Sequence, residues 1–157
     1  MQIFGLAAHA LAIMLLGLVT GSMFAIWQGY PIIGYSPSTF VEVHQGAVRG
    51  LNAALPAMAA AALVLVTVLA VVARRQPSIM WLFVIIAGLI VAGGLITRFI
   101  NQPINAQVMT WNAASLPAEW SDIRQYWWTW HQVRLATTAI AQMLLIAAIF
   151  VDRKAMT

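Results

Sequence analysis

The sequence predicts an all-α membrane protein in which four transmembrane helices form one antiparallel bundle. Of the 157 residues, 62% are hydrophobic and only 8% are charged, whereas soluble domains carry about 25% charged residues. The mean hydropathy is +0.87. Polar segments separate four apolar runs that are long enough to cross a bilayer. We therefore predict a single transmembrane domain over residues 1–157, with spans at about residues 3–27, 52–73, 79–100 and 133–151.

The composition also excludes several classes of function. The chain has no cysteine, so disulfides, iron–sulfur clusters and thiolate catalysis are excluded. The net charge is +4, but the basic residues lie near the ends of the apolar runs, which reports membrane topology rather than nucleic-acid binding. No predicted span contains an acidic residue, which argues against a proton-coupled transporter. The sequence has neither a Gly-rich phosphate loop nor an HExxH zinc motif.

The first apolar run is predicted to be a retained helix. The first three residues contain no basic side chain, and the run to Trp27 is long for a signal peptide. Gly17 and Gly21 form a small-xxx-small pair that would let another helix approach closely, so the sequence is compatible with a homodimer. His9, near the start of this run, is interpreted as a histidine whose hydrogen bonds are satisfied within the bundle.

The segment after the first span carries a helix signal. Thr39 and Glu42 fit a capping box, which predicts a helix that starts there and runs on into the second span. Arg49 lies on the polar stripe of this helix, whereas His44 lies on its apolar face. After the third span, Pro103 is predicted to end or kink the helix.

The basic residues predict the orientation of the bundle. Four of them occupy a short turn or follow the last span on one side of the membrane: Arg74, Arg75, Arg153 and Lys154. The other four lie in or beside helices on the opposite side: Arg49, Arg98, Arg124 and Arg134. Because the positive-inside rule counts free charges in short loops, we predict that both termini are cytoplasmic and that the protein lies in a bacterial inner membrane.

The segment between the last two spans, residues 98–134, contains five of the seven tryptophans. Residues 106–118 are expected to form a loop or a short surface helix, and a helix from Glu119 is expected to continue into the fourth span. On a wheel with about 100° per residue, one stripe of this helix is polar and aromatic: Trp120, Arg124, Trp127, His131, Arg134, Thr138 and Gln142. Polar groups at membrane depth face the bundle interior or a water-filled cavity.

A second polar face lies at the end of the third span. Arg98, Asn101 and Asn105 share this face if the helix is not interrupted. Arg49 and Asn52 reach the same level at the start of the second span. The sequence thus predicts a polar pocket near the outer membrane surface.

Other interpretations stand beside this one. The arginines could snorkel to the interface, the tryptophans could form an interfacial belt, and the asparagines could bond to helix ends. His44 and His131 could hold haem or a metal ion, with arginines meeting the propionates. A third class is a non-catalytic protein that binds a lipid or another subunit through its Trp-rich surface.

Two motifs in this region resemble those of a known family. An N-x-P-x-N motif runs from Asn101 to Asn105, and R-x-x-W-x-x-W-H-x-x-R runs from Arg124 to Arg134. In this order and spacing they resemble the anthrone-oxygenase-like family of small four-helix membrane proteins. The resemblance implies an integral membrane protein. For the characterised fungal members it also implies oxygenation of an anthrone to an anthraquinone without an obvious cofactor. The substrate does not carry over, because many bacterial relatives have no assigned activity.

Carried over onto the matching positions, the resemblance implies a membrane oxygenase or oxidoreductase for an aromatic, phenolic or quinone-like molecule. No cofactor is predicted, and dioxygen and the lipid bilayer are the expected partners. By this carry-over, the expected catalytic residues are His131, Arg134, Asn101 and Asn105, and Trp127 is an expected substrate-binding residue. Further expected substrate-binding residues are Trp130, from the second motif, and three residues at the level of the predicted pocket: Arg98, Arg49 and His44. In this hypothesis, His131, with or without His44, removes a proton from a substrate stacked on tryptophan. Arg134 and the asparagines hold the enolate oxygen while the carbanion reacts with dioxygen.

Overall fold

The structure, a computed structural model, describes residues 2–154, with side chains over residues 4–151. Within these residues it contains six α-helices, α1 to α6 in chain order: Gln2–Gly29, Pro37–Leu51, Ala54–Val72, Pro77–Ile96, Gln102–Val108 and Trp120–Lys154. Short 3-10 turns cover Ile32–Gly34 and Ala73–Arg75, and a π turn covers Thr97–Asn101. No strand is found in this part of the chain.

The predicted membrane architecture is confirmed. Four helical segments are long and apolar enough to cross a membrane: Phe4–Gly34, Ala54–Arg75, Pro77–Val108 and Trp120–Val151. The chain is therefore an integral membrane protein. In the bundle, α1 lies between α3 and α6, and α4 lies between the same two helices on the other side. Neighbours run antiparallel, since the α6 residues Leu145 and His131 meet α1 at His9 and Met23, respectively.

The half of the bundle that includes the Ala73–Arg75 turn has an apolar core, in which Leu16, Val66, Ile86 and Leu145 are fully buried. Within this core His9 Nε2 lies 2.8 Å from the Leu145 carbonyl oxygen, which confirms its interpretation as a satisfied bundle histidine. Van der Waals packing of this kind holds membrane helices together, because lipid is as apolar as the core.

The helix between the first two spans differs from the prediction. Ser36, not Thr39, caps α2: its hydroxyl accepts the Thr39 N–H at 3.3 Å, and Pro37 begins the helix. The predicted continuous helix into the second span is also wrong, because α2 ends at Leu51 and α3 begins at Ala54. Pro56 has no N–H for the Asn52 carbonyl, and its ring crowds that group, so a break four residues before the proline is physically reasonable.

Of the two outcomes predicted for Pro103, the helix end is wrong, because helical structure continues through Pro103 to Val108. The π turn Thr97–Asn101 directly precedes this segment, and the Gln102 N–H bonds to the Thr97 carbonyl five residues back. Pro103 then lies in the first turn of α5, where a missing N–H costs little. The predicted helix from Glu119 into the last span is confirmed, since α6 is continuous from Trp120. The side chains of Arg153 and Lys154, on which the orientation depends, lie outside the described residues.

Candidate functional site

A cavity of about 360 Å³ lies between α1, α2, α3 and α4, against one face of α6. This volume is within the range of small-molecule sites. Most of its wall is apolar. Its polar side chains come from α2, from the residues that follow α1 and α2, from the π turn and α5, and from α6: Tyr30, His44, Asn52, Thr97, Arg98, Gln102, Asn105, Arg134 and Thr138. An apolar cavity with a few polar groups suits a mostly apolar ligand that is oriented by one polar group.

Asn105 is the centre of one hydrogen-bond network at this cavity. Its Oδ1 accepts the Trp127 indole N–H at 2.8 Å and lies 3.1 Å from His44 Nε2. Its Nδ2 donates to Asn52 Oδ1 at 2.8 Å. An indole can only donate, so Trp127 fixes the orientation of the Asn105 amide. His44 Nε2 must therefore carry the proton, which leaves Nδ1 with a lone pair and with no hydrogen-bond partner among the described residues.

The sequence places His44 here because it lies on the apolar face of α2, which packs onto the bundle. The ring lies between Phe40 and Trp127, with centroids 5.2 and 4.8 Å away, and only 4% of the residue is exposed. Burial, together with the charge of Arg134, lowers the pKa of His44 from 6.5 to about 4, although the Asn105 hydrogen bond opposes this shift. The side chain is therefore neutral at pH 7 and able to accept a proton.

Arg134 and His131 form a second network. Arg134 donates through Nε and Nη2 to His131 Nδ1, at 3.3 and 3.0 Å. Because Nδ1 accepts, His131 Nε2 carries the proton and donates to the Met23 carbonyl at 3.1 Å. His131 is fully buried and stacks on Trp127 at 5.0 Å, and it does not line the cavity. Both ring nitrogens of His131 thus have hydrogen-bond partners, and Nδ1 orients the Arg134 guanidinium.

The Arg134 guanidinium is the most unusual group of the site. Only 6% of the residue is exposed, and it lines the cavity. Its remaining hydrogen bond goes to Thr97 Oγ1 at 3.3 Å, and it lies 5.7 Å from the centroid of the Trp127 ring. No carboxylate is among its hydrogen-bond partners in the described residues. Burying an unpaired charge costs several kcal/mol, so the site is electrostatically suited to an anionic ligand.

The structure brings together six of the nine predicted site residues: His44, Asn101, Asn105, Trp127, His131 and Arg134. Asn101 lies behind Trp127: its Nδ2 donates to the Trp127 carbonyl at 3.2 Å, and its buried Oδ1 has no partner. This unpartnered oxygen is not in the cavity wall.

Of the other three predicted residues, two lie outside the cavity wall and one, Arg98, lies at its edge. Arg49 is exposed on α2 and does not line the cavity. Trp130 packs edge-on against Tyr126 at 6.2 Å, also outside the cavity wall. Arg98 is exposed at the edge of the cavity, because the π turn separates it from the buried Asn101.

Sequence reasoning missed Thr97, which holds the Arg134 guanidinium. A signal for it was present, since Thr97, Asn101 and Asn105 are spaced by four residues and would share a helix face. The alternative interpretation for Arg124 is snorkelling to the membrane interface. Instead, Arg124 donates to the Ile32 carbonyl at 3.1 Å and covers the Trp120 ring.

Few groups could bind a metal ion at this site. Within the described residues, no three His, Asp or Glu side chains come together. Both ring nitrogens of His131 have hydrogen-bond partners, and His44 keeps one free nitrogen. A haem or metal would therefore have to displace existing hydrogen bonds at His131.

Asn105 supports three neighbours, so replacing it with leucine is expected to destabilise the fold. The change removes the partners of His44 Nε2–H, Trp127 Nε1–H and Asn52 Oδ1. A lost partner costs about 1–3 kcal/mol for a buried group. We expect a loss of about 2–4 kcal/mol, read as a lower thermal midpoint in detergent.

Gln107→Leu, an exposed position on the same helix, is the control for this measurement and is expected to leave the midpoint unchanged. Equal midpoints for the two variants would mean that the Asn105 network does not stabilise the bundle.

The chain was also compared with known proteins. The model of the family described as anthrone oxygenase matches residues 45–144. No curated protein and no solved structure matched the chain. The matched range contains both motifs and every polar side chain of the cavity except Tyr30 and His44. The resemblance inferred from the sequence motifs is therefore confirmed, and the chain belongs to the anthrone oxygenase family.

Proposed function

We propose that the chain is a membrane oxygenase that acts on an aromatic, phenolic or quinone-like molecule in the cavity beside Arg134. The observation that carries this proposal is a buried guanidinium that has no carboxylate partner and opens on an apolar cavity. An apolar substrate that becomes an oxyanion during reaction matches both the wall and the charge. Family membership supports oxygenation as the type of reaction.

The first step is removal of a proton from the substrate carbon. His44 is better placed for this than His131, because its Nδ1 is free and it lines the cavity. Asn105 holds the tautomer that exposes this lone pair. An anion in the cavity raises the proton affinity of the imidazole. Proton transfer from the substrate to His44 is therefore favourable once Arg134 binds the substrate oxygen.

The second role belongs to Arg134, which stabilises the enolate oxygen. His131 Nδ1 and Thr97 Oγ1 hold the guanidinium before the substrate binds, and a preorganised donor does not need to reorient during the reaction. His131 is then a positioning residue, and Trp127 supplies an aromatic surface in the cavity wall.

The last step is reaction with dioxygen. The carbanion gives an electron pair to dioxygen, which forms a carbon–oxygen bond and, with the proton from His44, a hydroperoxide. Loss of the second hydrogen from that carbon breaks the O–O bond, releases water and leaves a carbonyl group. One CH₂ group and one dioxygen thus give one C=O group and one water, so dioxygen is the only oxidant required.

The experiment is an absorption spectrum of the purified protein followed by oxygen consumption with an anthrone. The proposal requires substrate-dependent oxygen uptake with formation of the quinone. A Soret band or a stoichiometric metal that is needed for uptake would favour a haem or metal redox protein instead. Absence of both activity and chromophore would favour a lipid-binding or subunit-binding protein.

We further propose that the protein lies in a bacterial inner membrane with both termini cytoplasmic and that it can form a homodimer. The charges of the Ala73–Arg75 turn support the orientation. Gly21 leaves open space on α1, where an added Cβ would meet no atom within 4 Å, and this supports close approach of a second helix. Reporter fusions at each terminus test the orientation, and a crosslink between single cysteines at position 21 tests the dimer.

A further inference from the structure

The exposed part of the cavity wall is concentrated on two helices. The α1 residues in the wall, such as Val19 and Met23, are at most 7% exposed. By contrast, Val91 and Leu95 on α4 are 42% and 52% exposed while still lining the cavity. Ala60 on α3 is also exposed and in the wall. The cavity is therefore closed by α1 and open between α3 and α4.

This opening lies within the membrane-spanning segments. Ala60 belongs to the span Ala54–Arg75, and the α4 residues belong to the span Pro77–Val108. Val91, Gly94, Leu95 and Arg98 follow an i, i+3, i+4, i+7 pattern and all line the cavity, so they form one edge of the opening. Both segments are long and apolar enough to cross a membrane, so this edge is expected to face acyl chains along most of its length. Tyr30, just after the end of α1, also lines the cavity and is exposed, so it marks a second entrance that would lead from water.

The two adjacent glycines of α4 have different surroundings. A Cβ on Gly93 would lie 3.2 Å from Thr138 Oγ1, so this glycine lets α4 pack against α6. A Cβ on Gly94 would meet no atom within 4 Å, and Gly94 lines the cavity. Gly94 is therefore not required for helix packing, and a side chain there would project into free space at the opening.

We propose that the substrate reaches the cavity from the bilayer through the gap between α3 and α4, and that Gly94 keeps this gap wide enough for an aromatic ring system. The inference rests on the proposed function for the identity of the occupant, a lipid-soluble molecule with one oxygen that can become anionic. Arg98 lies at the edge of the same opening, and Arg134 lies inside it. The cavity wall thus contains two cations and no carboxylate, which favours a ligand that carries or develops a negative charge.

Access is tested with a single thiol, because the chain has no cysteine. Val19→Cys places the thiol on the closed α1 wall, where the native residue is 1% exposed. The protein in lipid nanodiscs is treated with phenylmercuric acetate, an aromatic, lipid-soluble reagent, and the adduct is followed by mass spectrometry. Adding Gly94→Leu is expected to slow labelling at least about tenfold, whereas adding Gly88→Leu is not. Gly88 is an exposed glycine of the same helix that also has open space and does not line the cavity.

Ala60→Leu, on the opposite edge of the opening, is a second blocking variant if Gly94→Leu does not fold, and it is expected to slow labelling as well. Labelling that neither change slows, or equally fast labelling by the water-soluble p-chloromercuribenzenesulfonate, would overturn the proposal and indicate the route beside Tyr30. Labelling requires no turnover. A failure of this route is therefore seen separately from a failure of the oxygenase proposal.

Discussion

Replacement of Arg134 with methionine is expected to lower kcat/KM for an anthrone by about 100-fold or more, the usual effect of removing a donor to a developing oxyanion. Methionine keeps an unbranched side chain in the cavity wall but has neither the charge nor the N–H groups. The change leaves the buried His131 Nδ1 without its donor, which costs about 1–3 kcal/mol. It also removes a buried cation that has no carboxylate partner, so the fold should tolerate it. The measurement is the initial rate of oxygen uptake at several substrate concentrations, with the thermal midpoint of each variant.

The matched control is Arg49→Met, which removes an exposed arginine that does not line the cavity. Its kcat/KM is expected to equal that of the native chain. Arg134→Lys is expected to fall between the two, because lysine keeps the charge but not the planar fork that reaches His131 and Thr97. Native activity in Arg134→Met would exclude the guanidinium from the reaction.

His44→Gln is expected to lower kcat by about 10²- to 10⁴-fold, the range for loss of a general base. A glutamine amide can still donate to Asn105 Oδ1 in place of His44 Nε2, so the network is retained while the basic nitrogen is lost. His9→Gln is the control, since His9 is also buried but bonds to the Leu145 carbonyl in the other half of the bundle. Equal rates for the two variants would remove His44 from the mechanism.

The pH profile gives an independent test of the same residue. The pKa of His44 is lowered from 6.5 to about 4, chiefly by burial. The neutral, proton-accepting form is therefore present from pH 8 down to about pH 5, and kcat/KM is expected to fall only as the pH approaches about 4. Between pH 6.5 and 4 the unfolded chain binds a proton at this site that the folded chain does not, so stability decreases on acidification through this window.

The spans and the buried face of α6 could be predicted from the sequence because both depend on local patterns. Hydropathy identifies an apolar helix whatever it packs against. The stripe through Trp127, His131 and Arg134 follows from helical periodicity alone, and all three residues are buried. Val133 and Ile140, on the opposite side of the same helix, are exposed.

The division of roles between the two histidines could not be predicted, because it depends on partners distant in sequence. His131 forms a hydrogen bond with the carbonyl of Met23, 108 residues away, and His44 forms one with Asn105, 61 residues away. The placement of Arg49 at the pocket also could not be tested on the sequence: Arg49 is exposed, whereas His44 on the apolar face of the same helix is buried. A helical wheel identifies the faces of one helix but not the side chain that a neighbouring helix will meet.

The most direct test of the account is the absorption spectrum of an anthrone bound to the protein without oxygen. Under these conditions proton removal occurs but oxygenation cannot, and the enolate absorbs at longer wavelength than the ketone. We expect the native protein to hold the bound anthrone as its enolate at pH 7, and His44→Gln and Arg134→Met to hold it as the ketone. A bound anthrone that remains the ketone in the native protein, or that ionises equally in both variants, would contradict the assignment of His44 as base and Arg134 as the oxyanion site.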